Sequence, residues 1–562
     1  MLPASVAMWL LALRGVRLDR MGDLGLLQVL PVLFWVALAL LTLGFCVAAG
    51  DRRTPHGCFA AYALVLIAVL HATPPLLYQE LRYSWAWKHV AVIDAMMRHN
   101  GEVPNASGFN IYNQWPGFFQ FNALILKATG LESPLGYALW AQLLTNLLLL
   151  GPLLVIYRSI THDRRLIWGA VWIYYSCSWV GQDYFAPQAF TFLLFVSVIA
   201  LVVRQLPSSR FPGPRTSRRR WPVGRLLLVL VIEAAIVSSH QLTPLMLISA
   251  LLLLSLPRRY RRLALPALAG AVVFTLAWNG TVAWPYVSAN LDNFVNALTR
   301  PEANVWSGLS RLAEAAPSQV MVSWIDRGLS GGVFLLAAIA LAVRPWTRRT
   351  PLPLLALFPL PLVVVNAYGG EMVFRAFMFA LPAAALLLAA LLLRSHRARP
   401  ARMAIVPVLL LAMLGSLVFG YYSKESMNRF SAEEVAATRY LTTETPTRSL
   451  IISVTFAAPG LEMHYDRHER TQITEESLST KRLLVQDPLA GLEPLLNRAG
   501  DEPAYILLSR AQSADVRLNG ELPADFVRRL ESALAKAPSF TPVYRNGDAV
   551  VYRFDPPIER NH

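Results

Sequence analysis

The chain has 562 residues, of which 55% are hydrophobic and 15% are charged, and its mean hydropathy is +0.43. Soluble domains carry about a quarter of charged residues, so this composition excludes a wholly soluble protein and requires lipid to cover the apolar excess. The net charge of +16 comes from short basic clusters between apolar runs, which indicates membrane topology and argues against nucleic-acid binding. The three cysteines, Cys46, Cys58 and Cys177, all precede the C-terminal region, so we expect no disulfide there.

Apolar runs predict a polytopic α-helical membrane protein with about twelve transmembrane helices, because a crossing needs roughly 17–25 apolar residues. The runs lie at residues 32–50, 58–77, 136–158, 166–181, 189–205, 226–240, 241–257, 263–286, 331–345, 352–369, 376–393 and 403–421. The stretch 226–257 lies between basic clusters and must cross an even number of times, either as two short helices or as a re-entrant hairpin that turns near His240 to Pro244. Residues 1–13 look like part of a further helix and lack the features of a cleavable signal peptide.

The distribution of arginine predicts the side of the membrane on which each loop lies. One set of loops holds most of the arginines, in the segments 52–53, 158–165, 204–225, 258–262, 344–349 and 394–402. The alternating loops, 78–135, 182–188, 287–330 and 370–375, are balanced in charge. We therefore expect a plasma-membrane protein with a membrane region over 1–421 and an extracytoplasmic domain over 422–562. Arg14, Arg17 and Arg20 would then lie outside, against the same rule.

The C-terminal tail differs in kind, because it lacks tryptophan and carries frequent charges. Its patterns predict helices over Ala432 to Leu441 and Pro523 to Lys536, and strands over Ser449 to Thr455 and Ala504 to Ser509. Two further short runs flank Asn546-Gly547-Asp548, which is typical of a hairpin turn. The tail is thus predicted to be a small α/β domain.

The first long outer loop, 78–135, brings ionisable and aromatic side chains to the membrane surface. Glu80, Lys88, His89 and Asp94 lie along a stretch that is either an amphipathic interfacial helix or a source of functional groups. Trp115, in the aromatic segment Ile111 to Phe119, fits an interfacial anchor better than a binding residue.

The second outer loop is so short that Asp183 must lie at the membrane rim between two helices. A carboxylate there needs a cation, a metal ion or hydrogen-bond donors, unless it simply caps the following helix. His240 and Gln241 form a polar break between two apolar runs, and a lone histidine there is more often a hydrogen-bonded turn residue than a ligand.

Glu371 and Arg375 stand at (i, i+4) beside a late apolar run. They could pair with each other, or the arginine could hold a lipid phosphate through two parallel hydrogen bonds. Glu233 lies inside an apolar run and requires a partner that the sequence does not identify.

Several short motifs, taken in order, resemble the C-class (GT-C) glycosyltransferase superfamily of integral membrane enzymes. They are the amphipathic helix of the first loop, the turn His99-Asn100-Gly101, the segment Trp115-Pro116-Gly117, the run Leu131-Glu132-Ser133-Pro134-Leu135, the short loop Gly181 to Gln188, and Arg375 followed by Phe379-Ala380-Leu381-Pro382. Val543 to Arg553 looks like part of the small outer domain of many bacterial members. Trp87-Lys88-His89, Trp115 to Phe119 and Asp183 to Gln188 look like an actinobacterial group in particular.

The resemblance implies an inverting enzyme that moves a sugar from a polyprenyl-phosphate donor to an extracytoplasmic glycan, lipid or protein acceptor of the cell envelope. Members usually carry an acid just before the helix of the first loop, where this chain has Trp85-Ala86-Trp87-Lys88. The catalytic candidates are therefore Asp183, Glu80 and Asp94, with Arg375 on the lipid phosphate. The other substrate-binding candidates are Lys88, His89, Trp115, Tyr184, Gln188, His240, Gln241 and Glu371.

The same resemblance implies a divalent cation, Mg or Mn, with Asp183 as a candidate ligand, and no organic cofactor. Its partners would be membrane lipid, the sugar donor and the acceptor, and no nucleic acid. Two other functions stay open: a flippase for lipid-linked saccharides, and a non-catalytic scaffold that binds a glycan lipid. A transporter needs two pseudo-symmetric halves around a midplane site. The enzyme needs Asp183, an acid of the first loop and Arg375 in one cavity.

Overall fold

The computed structural model describes residues 1–51, 53–104, 109, 111–206, 221–292, 315–365, 371–393 and 400–555. Some sequence-based expectations lie outside these described residues: Arg52, the arginines at 210–220, half of the predicted loop 287–330, Tyr368 to Gly370, and Arg394, Arg397 and Arg399.

The membrane region is helical. Numbering helices of nine or more residues in chain order, it contains α1 (Leu2–Leu13), α2 (Val32–Gly50), α3 (His56–Leu77), α4 (Ser84–Arg98), α5 (Gly117–Thr129), α6 (Ala141–Ile160), α7 (Arg164–Cys177), α8 (Pro187–Gln205), α9 (Val223–Ser239), α10 (Thr243–Ser255), α11 (Arg258–Gly280), α12 (Pro317–Val343), α13 (Met372–Leu392) and α14 (Pro400–Tyr422). Shorter helical turns lie at Ile111–Gln114, Leu135–Ala138, Trp284–Ala289, Leu352–Leu357 and Leu360–Val365.

Within the described residues, eight helices are long and apolar enough to cross a membrane. They are α2, α3, α6, α8, α11, α12, α13 and a helical stretch that continues α14 to Asn428. Leu2–Leu13, Thr243–Ser255 and Leu352–Val363 are apolar but shorter. The chain is thus a multi-pass membrane protein, but the predicted number of twelve crossings is not confirmed. The stretch 226–257 forms two separate helices, α9 and α10, with the break at His240.

One predicted boundary is wrong in a way that matters for the site. The run 331–345 is only the second half of α12, which begins at Pro317. The first half carries polar side chains on one face, and they lower the hydropathy of that stretch below the level that marks a membrane run.

The centre of the bundle is built on α7 and α13. Every residue of α7 from Leu166 to Cys177 is buried, although at 14 residues the helix is short for a crossing. It packs closely on α13, and Gly169 leaves room for the side chain of Leu393. Aromatic stacking of Phe45 on Trp172, with centroids 4.3 Å apart, joins α2 to this core.

Glu233 is fully buried in α9 against Gly270 of α11. Neither of its carboxylate oxygens has a hydrogen-bond partner among the described residues, so the partner that the sequence requires is not found there. A Cβ at position 270 would lie 2.5 Å from the carboxylate, so the glycine is what permits this packing.

The tail is a small α/β domain, as the sequence predicts. Its elements are helices α15 (Ala432–Thr443), α16 (Leu478–Gln486), α17 (Pro488–Leu496), α18 (Arg510–Asn519) and α19 (Phe526–Lys536), and strands β1 (Leu450–Ser453), β2 (Glu469–Gln472), β3 (Ala504–Ser509), β4 (Phe540–Arg545) and β5 (Ala549–Phe554). The strand order is β2-β1-β3-β5-β4, with β1 parallel to β2 and β3, and β5 antiparallel to β3 and β4. Because strand residues alternate between faces, Ile452 and Ile506 pack against α16 to α19, and Ile451 and Leu507 pack against α15.

The tail rests on the first loop. One apolar cluster contains Ile93 of α4 and Phe119 of α5 together with Val435, Tyr465 and Ala511 of the tail. This packing fixes α4 between the membrane bundle and the tail.

Candidate active site

Asp183 lies in the loop between α7 and α8 and accepts hydrogen bonds from several side chains. The amides of Gln142 and Asn146, one turn apart on α6, donate to its two oxygens at 2.9 Å and 2.7 Å. The Tyr421 hydroxyl at the end of α14 lies 3.1 Å and 3.0 Å from these oxygens, and His71 Nδ1 lies 3.3 Å from one of them. Three helices, α3, α6 and α14, thus orient one carboxylate.

Arg82 lies next to this group. Its Nε donates to the carboxamide oxygen of Gln142 at 2.8 Å, and its guanidinium lies over the rings of Tyr83 and Tyr421. It also forms an ion pair at 3.0 Å with Glu425, and both side chains are buried. Members of the family that the sequence resembles usually carry an acid just before the helix of the first loop, whereas this chain has the cation Arg82 two residues before Ser84.

Arg375 and Glu371 form a second group at the start of α13. Arg375 donates to Glu371 at 2.8 Å and to the carboxamide oxygen of Gln188 in the first turn of α8. Of the two predicted alternatives, the pairing with Glu371 is therefore observed. His240 lies near Arg375 and His89, and its Nδ1 accepts from the Thr243 backbone N–H at 3.2 Å, as a turn histidine would.

His89 on α4 packs against the loop that contains Asp183. Its Nδ1 lies 2.9 Å from the carbonyl of Phe185, and because a carbonyl only accepts, Nδ1 carries the hydrogen. Burial lowers the pKa of His89 to about 4, so the ring is neutral at pH 7 and its Nε2 is an acceptor. The ring stacks on Tyr184 at 6.2 Å. The first loop and the second loop are thus joined at the predicted residues His89 and Tyr184.

A cleft of about 2410 Å³ separates the membrane helices from the tail. Its lining includes Gly181 and Tyr421, the neighbours of Asp183, and Glu371, the partner of Arg375. Lys88 lines it from the first loop and Arg470 from the tail. Side chains that are hundreds of residues apart in sequence therefore face one space.

Lys88 is surrounded by aromatic rings within this cleft. Its Nζ lies 5.0 Å from the ring centroid of Trp85, 4.8 Å from that of Phe109 and 5.8 Å from that of Phe456. Burial lowers the pKa of Lys88, and the negative charges of Glu462 and Glu475 oppose this shift. Cation–π attraction and these carboxylates stabilise the ammonium group at the junction of loop and tail.

The other predicted residues lie elsewhere. Glu80 is half-buried, and the charge of Arg439 in the tail acts on it. Asp94 forms an ion pair with Arg98 at 2.9 Å. Trp115 packs edge-on against Tyr286, with centroids 5.3 Å apart. Gln241 is half-buried beside His240. The expectation that Asp183, a first-loop acid and Arg375 line one cavity is therefore not met. The α4 region directs its acids towards the tail, and Asp183 and Arg375 reach the cleft only through their neighbours Tyr421 and Glu371.

The side chains around Asp183 do not fit a divalent cation in this arrangement. Two amide groups and a hydroxyl direct hydrogen-bond donors at the carboxylate, whereas Mg and Mn require several oxygen ligands. Among the described residues, no cluster of three or more His, Cys, Asp or Glu side chains could hold a metal ion. The cation requirement stays a prediction, and no chemical step is derived through it.

Asp466 of the tail joins Arg98 and His99 of the first loop. Arg98 donates to both Asp466 oxygens at 3.0 Å and 2.9 Å, and His99 Nε2 lies 3.1 Å from one of them. Burial alone would raise the pKa of Asp466, but the hydrogen bonds and the charge of Arg98 outweigh it and hold the pKa below its usual range.

We expect acid to loosen this contact. A depressed pKa in the folded state adds stability that is fully present above the pKa of an unfolded aspartate, about 3.9, and is lost as pH falls below it. The opening of α4, measured by hydrogen exchange after correction for the intrinsic exchange rate at each pH, should therefore increase as pH falls from about 5 to about 3. In Asp466→Asn the exchange should be fast already at pH 5 and should change little on acidification. Equal pH dependence in both proteins would contradict the role of Asp466.

Several residues of the site escaped sequence analysis: His71, Arg82, Gln142, Asn146, Tyr421 and Glu425. A signal exists for two of them. Gln142 and Asn146 stand at (i, i+4) in an apolar helix, where unpaired amides are costly.

No protein-family model matches the sequence, and comparison with curated proteins gives no match. Solved structures do match. The archaeal oligosaccharyltransferase AglB from Archaeoglobus fulgidus, in complex with an inhibitory peptide and a dolichol-phosphate, matches with a TM-score of 0.54 at 12% identity over 88% of this chain and 74% of its own. ArnT from Cupriavidus metallidurans, bound to undecaprenyl phosphate, matches with a TM-score of 0.51 at 14% identity over 88% of this chain and 97% of its own.

These matches show the fold: the chain is a membrane protein with the fold of the oligosaccharyltransferase AglB and of ArnT. The fold that the GT-C resemblance implies is thereby confirmed. The TM-scores of 0.54 and 0.51 establish this shared fold, and at identities of 12–14% the matches establish no more than that.

Proposed function

We propose that this chain is a membrane glycosyltransferase that moves a sugar from a polyprenyl-phosphate donor to an acceptor on the extracytoplasmic side. The observation that carries the proposal is the cleft, where the partners of Asp183 and Arg375, Lys88 of the first loop and residues of the tail face one space in a GT-C fold. The solved neighbours are complexes with dolichol-phosphate and with undecaprenyl phosphate, which supports a polyprenyl-phosphate lipid as the donor carrier.

The arginine distribution supports an extracytoplasmic cleft. Helices α6, α12 and α13 each have one end at the cleft, near Gln142, Gln319 and Glu371. Their other ends meet the arginine-rich segments 158–165, 344–349 and 394–402. Arginine-rich loops stay in the cytoplasm, so the cleft and the tail belong on the opposite side.

The proposed reaction is an inverting displacement. The acceptor hydroxyl attacks the anomeric carbon, the bond from that carbon to the phosphate oxygen breaks, and the phosphate leaves with the bonding electrons. Asp183 takes the hydroxyl proton, and Arg375 stabilises the charge on the leaving phosphate. Glu371 is half exposed and would have to release one side of Arg375 for the phosphate to replace it.

A non-catalytic glycan-lipid-binding scaffold is the second candidate, because Asp183 and Arg375 are both engaged by protein side chains. It predicts lipid binding without sugar transfer. The two candidates therefore separate in one experiment.

That experiment offers purified protein a panel of radiolabelled polyprenyl-phosphate sugars with envelope glycan acceptors. Wild type should transfer label from at least one donor. Arg375→Gln should weaken binding of undecaprenyl phosphate about tenfold or more, because a charge-assisted contact contributes roughly 1.5–3 kcal/mol. Arg348→Gln, at an exposed position on the arginine-rich side, is the matched control and should bind as wild type does. Lipid binding without transfer from any donor would favour the scaffold.

A further inference from the structure

One wall of the cleft, formed by α12 and the end of α14, carries buried polar atoms without hydrogen-bond partners among the described residues. They are Oε1 of Gln319, Oδ1 of Asp326 and Oγ of Ser423. The three side chains are 5%, 5% and 0% exposed, and all three line the cleft. A buried polar atom without a partner costs free energy, so three of them on one wall require an explanation.

The positions on α12 lie on one face of the helix. Gln319, Ser323 and Asp326 follow the spacing i, i+4, i+7, and all three line the cleft. Gly420 of α14 completes the wall, because a Cβ at this position would overlap the Asp326 carboxylate. The backbone of Gly420 therefore leaves room for the carboxylate beside Tyr421, the residue that contacts Asp183.

Charged side chains of both signs lie around this wall. Arg327 and Lys424 both act on Asp326, and Lys424 also acts on Asp515 of the tail. Lys424 is exposed and lies close enough to Asp326 and Asp515 for its charge to act on both.

We propose that this wall, defined by Gln319, Asp326, Ser423 and Lys424, binds the hydroxyl groups of a sugar. Neighbouring hydroxyls of a sugar ring donate to a carboxylate and a carboxamide oxygen and accept from an ammonium group, which satisfies these side chains together. A polyprenyl chain offers no hydrogen bonds and would leave these groups unpaired. The proposal rests on the proposed function and adds to it the residues that recognise the sugar, on the donor or on the acceptor glycan.

The test measures affinity of full-length protein in lipid nanodiscs for three probes. They are bare undecaprenyl phosphate, undecaprenyl phosphate that carries glucose, mannose or arabinose, and a free oligosaccharide of the same sugars. Asp326→Asn keeps the shape of the side chain but replaces one oxygen of the carboxyl group by an amide N–H donor. It should weaken binding of a sugar-bearing probe about tenfold or more and leave bare undecaprenyl phosphate unchanged. Gly420→Ala adds a Cβ that displaces the Asp326 carboxylate but leaves Asp326 itself unchanged. It should also weaken binding of a sugar-bearing probe and leave bare undecaprenyl phosphate unchanged.

The pattern of loss identifies the source of the sugar. Weaker binding of the sugar-bearing lipid alone assigns the wall to the donor, and weaker binding of the oligosaccharide assigns it to the acceptor. Asp19→Asn, which removes a carboxylate that is 65% exposed, is the charge-matched control and should bind all probes as wild type does. Unchanged affinity in both variants, or an equal loss for bare lipid, overturns the proposal. If wild type binds none of the probes, the proposed function falls as well.

Discussion

Arg82→Met is expected to cause a large loss of stability. The Arg82–Glu425 ion pair is buried, with side chains that are 5% and 0% exposed. Removal of one partner leaves an uncompensated charge in a low-dielectric site, which costs about 3–5 kcal/mol. Methionine fills a similar volume, so the loss reports the charge and not a cavity. The unfolding temperature in detergent should therefore fall sharply.

Two matched variants make this prediction specific. The double variant Arg82→Met with Glu425→Gln removes both charges and should recover much of the lost stability. Arg17→Met breaks a pair with Asp19 in which both side chains are 65% exposed, and it should change stability by no more than about 0.5 kcal/mol. If Arg82→Met unfolds at the temperature of wild type, the pair does not hold the first loop to the end of α14.

The positions of the membrane helices could be predicted because hydropathy and length suffice for a crossing. The runs 32–50, 58–77, 189–205 and 376–393 correspond to α2, α3, α8 and α13 within a few residues. The prediction of membrane helices fails where polar side chains of a helix face the inside of the protein. The first half of α12 was assigned to a loop, because Gln319, Ser323 and Asp326 make its face at the cleft polar.

The tail shows the same limit. Strands β1, β3, β4 and β5 carry apolar residues and were predicted, whereas β2 was missed. Its sequence, Glu469-Arg470-Thr471-Gln472, has no apolar alternation, because it is an edge strand that pairs with β1 alone and faces the cleft with its other side. A polar edge strand has no sequence signal that separates it from a loop.

The candidate site divides in a similar way. Asp183 and Arg375 could be singled out because charges at a membrane rim are rare. Their partners could not, since His71, Gln142 and Tyr421 lie inside or at the ends of apolar runs and up to 350 residues apart. Which side chains pair across that distance depends on how the helices pack, and the sequence does not show this. Arg82 illustrates this, because only its buried partner Glu425, far along the chain, makes it part of the site.

Asp183→Asn is expected to have the largest effect on activity. If Asp183 takes the proton of the acceptor hydroxyl, its loss should lower the rate of sugar transfer about 100- to 10,000-fold. Affinity for undecaprenyl phosphate should stay near that of wild type, because the lipid phosphate is assigned to Arg375. The measurement is single-turnover incorporation of label together with lipid binding on the same preparation.

The substitution also disturbs structure, and this must be separated from chemistry. An asparagine at this position directs its own N–H groups at donors from Gln142, Asn146 or Tyr421, so the loop between α7 and α8 should loosen. Tyr421→Phe removes one donor and leaves the carboxylate in place, so it reports the structural part alone. We expect a modest loss of rate and stability in Tyr421→Phe and a far larger loss of rate in Asp183→Asn. Similar rates in the two variants would mean that Asp183 only holds the loop, and the proton acceptor would then have to be sought among the acids that line the cleft, of which Asp326 is the most deeply buried on the membrane side.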